Sequence, residues 1–325
     1  MPTKAQYGVP APYLTNYSLA MVPNEMFVAP SVLPWAPVPD ESFRYTDFDD
    51  GAFVPSGAAA GEQSGLRNLG STYQQVTFGF GNGSGLCKEY GFEATMDKRE
   101  PRMGRAAGVD VQQANSILVR QQFMTAWEIR AATLLFNTTT FASQYEALGT
   151  TGARWDNALS DPADQAIKAK RLTRRAASAN QGGAKWCCLV GEEVHDALKT
   201  NPAIISRIVN TSKVVAGNVT DAEIQAYLDV DEYYHAGAIY NSVGDTGAGS
   251  LTGADVWGKY ALFFWKSPTP GRMLPSLGYT FGTEQYMVEQ YTDDTRRSDV
   301  IRGRGVQLEK VVNVGAAYLY STVIS

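Results

Sequence analysis

Residues 110–136 read DVQQANSILVRQQFMTAWEIRAATLLF, and this stretch decides the fold. Asp110 suits a helix N-cap, where a carboxylate accepts from the free amides of the first turn. Val119, Phe123, Trp127 and Leu134 follow at spacings of four, four and seven, which puts them on one stripe of a helix. Ala126, Ala131 and Ala132 add helix propensity. At about 1.5 Å per residue the helix is roughly 40 Å long, well beyond the usual three or so turns. It predicts a scaffold element over about 110–136, with Val119, Phe123, Trp127 and Leu134 as its core stripe.

Upstream lie strands. Phe43, Tyr45 and Asp47 alternate, Phe48 and Phe53 follow, and Asp49-Asp50-Gly51 is a turn or bulge signal. Residues 54–72 are small and polar, a hairpin tip or loop. Tyr73–Gly81 alternates again as a second strand, and a third runs over about Leu86–Met96. Between them Gly79, Gly81, Gly83 and Gly85 alternate. A phosphate loop needs Lys-Ser/Thr after its last glycine, and Leu86-Cys87 follow instead. A dinucleotide fingerprint needs glycine where Ser84 stands. A flexible or bulged hairpin is the better reading.

The stretch from Met1 to Pro55 is unlike the rest. It holds nine of the 15 prolines, and six acids (Glu25, Asp40, Glu41, Asp47, Asp49, Asp50) against two bases (Lys4, Arg44). Of the net −5, only −1 falls outside it. Proline fixes φ and removes a donor, so this density rules out a long helix or a central strand. It predicts an irregular arm over 1–42, extended along Ala29–Pro39, whose partners lie elsewhere.

Downstream, Ser160-Asp161-Pro162 opens a helix reaching about Ala179, with acids first and bases last as the helix dipole prefers. A buried strand at Trp186–Val190, a helix over about Glu192–Lys199 and a short helix at Ala222–Leu228 follow. Strands are expected near Ala238–Asn241 and Lys259–Trp265, with a glycine-rich loop, Gly244–Gly253, between them. Tyr279–Ile324 reads mostly as strands. No internal repeat is visible.

Several function classes are excluded. At 44% hydrophobic and 19% charged residues, the chain is globular rather than disordered. The best apolar run is Tyr260–Trp265, too short for a membrane span. No secretory signal is visible. Three cysteines, Cys87 and the adjacent pair Cys187-Cys188, make no disulfide framework and suit a reducing compartment. The mild acidity argues against a nucleic-acid binder acting by bulk attraction.

Chemistry is scarce. The two histidines, His195 and His235, leave no His-rich metal site, and His195 is expected at the surface or half-buried. Asp229, Asp231 and Glu232 read as a solvated turn rather than a cation site. No nucleophile elbow, zinc-protease helix or calcium loop occurs. Catalytic, cofactor and metal residues are therefore all expected to be absent. Basic clusters stand at Lys98–Arg105, Lys168–Arg175 and Arg296–Arg304, none interleaved with aromatics for base stacking. The first and last lie beside strands or loops, where acids of a neighbouring subunit are natural partners.

Arm, hairpin and long helix in this order resemble the major capsid proteins of tailed bacteriophages, with the Hong Kong 97 type fold. Pro-rich Ala29–Pro39 before Phe43-Arg44-Tyr45 resembles the junction of arm and extended loop. Asp110–Phe136 resembles the spine helix, followed by Phe141, Trp155 and the Ser160-Asp161-Pro162 helix start. Trp186–Val190 with Gly191, then Leu198-Lys199-Thr200-Asn201-Pro202, is similar to the axial-domain strand and helix. Val256-Trp257-Gly258 and Pro275-Ser276-Leu277-Gly278-Tyr279-Thr280-Phe281 fit the same order.

The resemblance implies an α+β fold with an N-terminal arm (1–42), an extended loop (43–85), a peripheral domain (86–150 and 286–325) and an axial domain (151–285). It implies a structural, non-enzymatic homo-oligomer whose hexamers and pentamers close into an icosahedral capsid around double-stranded DNA. The implied place is the virion, after capsid assembly in the bacterial cytoplasm. With no scaffolding domain expected in the short arm, a separate scaffolding protein is implied, with a portal, decoration proteins and weak, non-specific contact with DNA. Some members cross-link a loop lysine to a neighbour's asparagine. Residues 42–87 hold no Lys, so that bond is not expected unless Lys88 makes it.

The expected assembly surface comprises Pro34, Trp35, Asp40, Glu41, Arg44, Asp47, Asp49, Asp50 and Arg67, with Arg296, Arg297, Arg302 and Arg304 as a basic dock for the arm's acids. On that reading, removing residues 1–42 leaves a foldable subunit unable to close shells. The alternatives are an encapsulin-type compartment enclosing protein cargo, and a cytosolic hydrolase with an unrecognised site.

Overall fold

The structure, a computed structural model, describes residues 8–23, 27–48, 66–67, 69–70, 72–73, 80–106, 108, 110–149, 152–176, 183–212, 219–242, 252–267, 269 and 276–325. The arm is more regular than its prolines imply. It forms β1 (Val9–Pro10), α1 (Pro12–Met21), the single turn α2 (Ala29–Val32) and β2 (Trp35–Pro37). Pro12 stands in the first turn of α1, where a missing N–H costs nothing. No proline follows until Pro23, a window that a count over the whole arm conceals.

A hairpin stem comes next, β3 (Ser42–Phe48) against β4 (Phe80–Leu86). Gly81, Gly83 and Gly85 thus lie in one strand of the expected hairpin, and Gly79 lies outside the described residues. Phe43 faces Gly85 and Tyr45 faces Gly83. A Cβ on Gly85 would fall 2.6 Å from Phe43 Cζ, and one on Gly83 2.2 Å from Tyr45 Cζ, so the rings need bare backbone opposite them. Most of the expected strand Tyr73–Gly81 lies outside the described residues.

β5 (Lys88–Asp97) and α3 (Glu100–Ala106) lead into the long helix α4 (Val111–Leu135). Asp110 caps it, Oδ1 accepting from Gln112 N at 3.0 Å and Gln113 N at 3.3 Å. Val119, Phe123 and Trp127 are buried as the stripe predicts, whereas Leu134 is half-buried and Leu135 takes the inner position.

The remaining elements are β6 (Tyr145–Ala147), α5 (Pro162–Ala176), β7 (Lys185–Gly191), α6 (Glu192–Thr200), α7 (Pro202–Ser212), α8 (Asp221–Tyr227) and β8 (Glu232–Ala236). β9 (Ile239–Asn241), β10 (Gly253–Asp255), β11 (Ala261–Lys266), β12 (Gly278–Asp293), β13 (Ser298–Val311) and β14 (Ala317–Ser321) complete the chain. No helix among the described residues is long and apolar enough to cross a membrane.

Two five-stranded sheets organise these elements. One runs β1-β12-β13-β5, with β2 also paired to β12; the other runs β6-β14-β11-β7-β8. The second sheet takes in residues 145–147 and 317–321. The sequence reading assigned both segments to the peripheral domain. They are drawn away because β14 pairs with β11 and β6 with β14.

The second sheet is buried on both faces. Cys187, Leu189, Leu262 and Phe264 meet the core shared with α4 and the arm. Trp186, Cys188, Val190 and Phe263 meet the core under α5, α6, α7 and α8. That is why β7 and β11 read as unbroken apolar runs. On the first sheet, α4 crosses β13 at Gly303. A Cβ there would fall 2.6 Å from Val119 Cγ1 and 2.5 Å from the Tyr286 hydroxyl.

Candidate assembly interface

The arm is held by its own subunit. β1 pairs with Gln290 and Glu289, and β2 runs parallel to Thr280–Gly282. Between them, Thr15 Oγ1 accepts from Val288 N at 3.0 Å. Two polar residues of α4 then grip the arm's backbone. Arg120 Nε donates to Val22 O at 3.3 Å, and Glu128 Oε1 accepts from Ala29 N at 2.7 Å. Glu128 is fully buried, and its Oε2 accepts from Trp257 Nε1 at 2.6 Å. Burial pushes its carboxyl pKa up, and these donors oppose the shift. Burial lowers Arg120 to about 10, while its guanidinium lies 4.4 Å from the centre of the Tyr286 ring.

Sequence reasoning missed both residues. A signal existed: each directly follows a stripe residue, Val119 or Trp127, and so flanks the same buried face.

Pro34 and Trp35, expected at a subunit boundary, are half-buried on β12. Pro34 O accepts from Thr280 N at 3.0 Å. Backbone groups of the arm thus find a strand edge, but the edge belongs to the same chain.

Two of the four arginines of the expected dock already have partners on their own sheet. Arg302 and Arg304 share one face of β13 with Glu93 and Glu89 of β5 and with Glu284 and Glu289 of β12. Arg302 Nε donates to Glu93 Oε1 at 2.6 Å, and Arg304 Nε to Glu289 Oε1 at 2.8 Å. Two arginines meet four carboxylates of their own sheet, so this face does not call for the arm's acids.

Arg296 is exposed, its Nε 3.7 Å from Asp293 in the turn joining β12 to β13; Arg297 is exposed beside it. Asp40, Glu41 and Arg44 are exposed near the hairpin stem. Arg67 stacks over Tyr73, 4.7 Å from the ring centre. The Asp47 side chain, Asp49 and Asp50 lie outside the described residues.

The titratable residues of the second sheet are not where the sequence suggested. Glu232 is no solvated turn residue. It pairs with Lys185 at 2.6 Å, with Lys266 and with the Tyr234 hydroxyl, and Lys266 Nζ also reaches Ser31 O of the arm at 3.2 Å. Burial alone would raise its carboxyl, but the Lys185, Lys266 and Tyr234 hydrogen bonds outweigh it and hold the pKa at about 2. His195 is buried and stacks on His235 beside Asp221. The three stand far apart in the chain, and their spacing gave no hint of that cluster.

The sequence matches no protein-family model and no curated protein. Solved structures do match. A phage-related protein from Bordetella bronchiseptica RB50 aligns at TM-score 0.73 and 20% identity, over 98% of this chain and 99% of that one. The capsid of cyanophage P-SCSP1u aligns at TM-score 0.51 and 11% identity, over 89% of this chain and 86% of that one. This chain has the phage major capsid fold. A virus-like particle from Pyrococcus furiosus aligns with it at TM-score 0.52 and 10% identity, over 95% and 97%.

The capsid fold fits the inert state of the cysteines. Cys187 and Cys188 point to opposite cores, and burial raises both thiols, so neither is a ready nucleophile at neutral pH.

Proposed function

We propose that this chain is a structural major capsid protein of a tailed phage. Copies associate as hexamers and pentamers and close into an icosahedral shell around packaged double-stranded DNA. One observation carries the reading: a cyanophage capsid structure aligns over 89% of this chain at TM-score 0.51. On this reading α4 is the spine helix and β3–β4 the base of the extended loop. The sheet around β12 and β13 is peripheral, and the sheet around β7 and β11 is axial.

Two further features support it. The hairpin stem pairs with no other strand among the described residues, and a two-stranded ribbon alone is marginal in water. Its base packs at home, Phe43 lying 4.7 Å from Phe281. Farther along the loop Leu66, Leu69 and Tyr73 are exposed. A neighbouring copy gives the ribbon a surface to lie on. The near-neutral charge beyond Pro55 gives a weak grip on DNA, which suits ejection.

The reading places the protein in the virion, assembled in the bacterial cytoplasm with a separate scaffolding protein, a portal and decoration proteins. The match to a virus-like particle keeps a second reading in view, that of a shell other than a phage virion, such as a compartment enclosing protein. Size exclusion and negative-stain microscopy of the expressed chain test the shell, with closed particles or rings expected. A chain that stays monomeric at every concentration sinks the proposal. Particles filled with protein and free of nucleic acid select the second reading.

A further inference from the structure

Three elements of the axial part converge on one point. His195 comes from α6, Asp221 is the first residue of α8, and His235 sits on the edge strand β8. The imidazole rings stack with centroids 4.3 Å apart and planes 10° apart. His195 Nε2 stands 3.4 Å from Asp221 Oδ1, and His235 Nε2 stands 3.4 Å from Asp221 Oδ2. One donor atom from each residue lies within 4.8 Å of the others.

The outer nitrogens are held in place. His195 Nδ1 is 2.8 Å from the Tyr233 hydroxyl, and His235 Nδ1 is 3.0 Å from Glu192 Oε2. A proton on each Nδ1 leaves each Nε2 lone pair unprotonated, 3.4 Å from an Asp221 oxygen, as second-shell partners do for metal-binding histidines.

Hydrogen bonding alone explains this poorly. The separation of 3.4 Å is long for an N–H···O bond. His195 is 1% exposed, and its Nε2 has no hydrogen-bond partner among the described residues. A buried polar atom without a partner is costly. Donors placed about 2.0–2.1 Å from a tetrahedral ion stand about 3.3–3.4 Å from one another. Each histidine Nε2 stands at about that distance from one Asp221 oxygen, Oδ1 for His195 and Oδ2 for His235, and the stacked rings turn apart to bring both nitrogens onto one ion.

We propose that His195, His235 and Asp221 bind one divalent transition-metal ion of the zinc class. Two imidazole nitrogens and a carboxylate oxygen suit that class better than Mg²⁺ or Ca²⁺, which prefer all-oxygen shells. Asp221 and Glu192 together balance the ion's charge. The Asp221 and His235 side chains are 52% and 41% exposed, so the fourth position opens to solvent and takes water. The ion staples α6, α8 and β8. Lys199 Nζ, 3.9 Å from Asp221 Oδ1, opposes it electrostatically. None of this rests on shell formation.

The test uses the full, tag-free chain stripped with chelator. Zn²⁺ is titrated by calorimetry, and Co²⁺ by the visible bands of a tetrahedral ion. One ion per chain is expected, with a rise in Tm on adding Zn²⁺. His235→Ala, on an exposed edge and checked for folding by circular dichroism, should weaken binding about 100-fold and lose the Tm rise. Glu192→Gln should weaken binding by roughly 10-fold through its hold on His235. Lys199→Met should tighten binding several-fold. No saturable binding by the unmodified chain, or equal binding by folded His235→Ala, overturns the proposal.

Discussion

Ala29 and Glu128 are 99 positions apart, yet the backbone N–H of Ala29 donates to Glu128 Oε1 at 2.7 Å inside the core. The other oxygen of that carboxylate takes Trp257 Nε1 at 2.6 Å. One side chain of the long helix α4 therefore joins the arm to the segment just before the strand β11. Arg120 makes a second such joint at Val22 O. The arm is built into the subunit's core rather than hanging free for a neighbour.

Replacing Glu128 tests the joint. Glu128→Ala strands two buried donors and opens a cavity, at about 1–3 kcal/mol for each unsatisfied group. A loss of about 3–5 kcal/mol is expected in urea unfolding of the unassembled subunit. Glu128→Gln keeps one acceptor but turns an amide donor toward the other N–H, and its loss should fall between. Unchanged stability in Glu128→Ala would remove the joint from the account.

Deleting the arm should ruin the subunit, contrary to the expectation that it leaves a foldable one. Phe27, Ala29, Val32 and Leu33 share a core cluster with Met124, Trp127 and Leu277. Removing residues 1–33 uncovers that cluster and leaves Glu128 without its Ala29 donor. Poor soluble yield, dye binding to exposed apolar surface and loss of near-ultraviolet dichroism are expected. Cooperative unfolding at the full-length Tm would contradict it.

The Arg304 ion pairs distinguish a sheet role from a docking role. Arg304→Met leaves Glu289 nearly buried, with Arg302 Nη1, at 3.9 Å, its one remaining cationic partner among the described residues. Removing one partner of a buried pair is costly, and a stability loss of about 2–3 kcal/mol is expected in the isolated subunit. Had Arg304 served the arm of a neighbour, assembly would fail while the subunit's own stability stayed intact. Thermal unfolding beside an assembly assay separates the two.

Acid should loosen the contact of arm and second sheet through Glu232. Its folded pKa of about 2 lies below the ordinary carboxylate value of 4.5. A depressed carboxyl contributes stability that is complete above the unfolded value and lost as pH falls through the folded one. The loss should therefore develop between about pH 4.5 and pH 2, and amount to about 1–2 kcal/mol after solvent screening. Glu232→Gln should flatten that part of the stability curve. An identical acid limb in the variant would rule the pairing out as its cause.

Close packing of α4 on β13 depends on Gly303. Gly303→Ala would press on Val119 and Tyr286, and overpacking of this kind costs about 1–3 kcal/mol. Tm should fall accordingly. A neutral effect would mean that helix and sheet part more easily than their contact suggests.

The long helix was legible almost to its ends, because Asp110 caps it and its stripe recurs every three to four residues. β7 and β11 were legible because burial on both faces demands unbroken apolar runs. Those are properties of neighbouring residues, and a sequence states them directly. The arm's course, the pairing of Arg302 with Glu93 across 209 positions and the meeting of His195, Asp221 and His235 are not local. They follow from strand register and from which edge of which sheet lies open. Sequence alone thus determined the long helix, the apolar strands of the second sheet and the capsid-like class of fold. Only the tertiary structure decided that the arm closes on its own subunit, that the arginine face is already neutralised and that two distant histidines share a carboxylate. Side chains far apart in the chain acquire partners only once the backbone has set the distances between them.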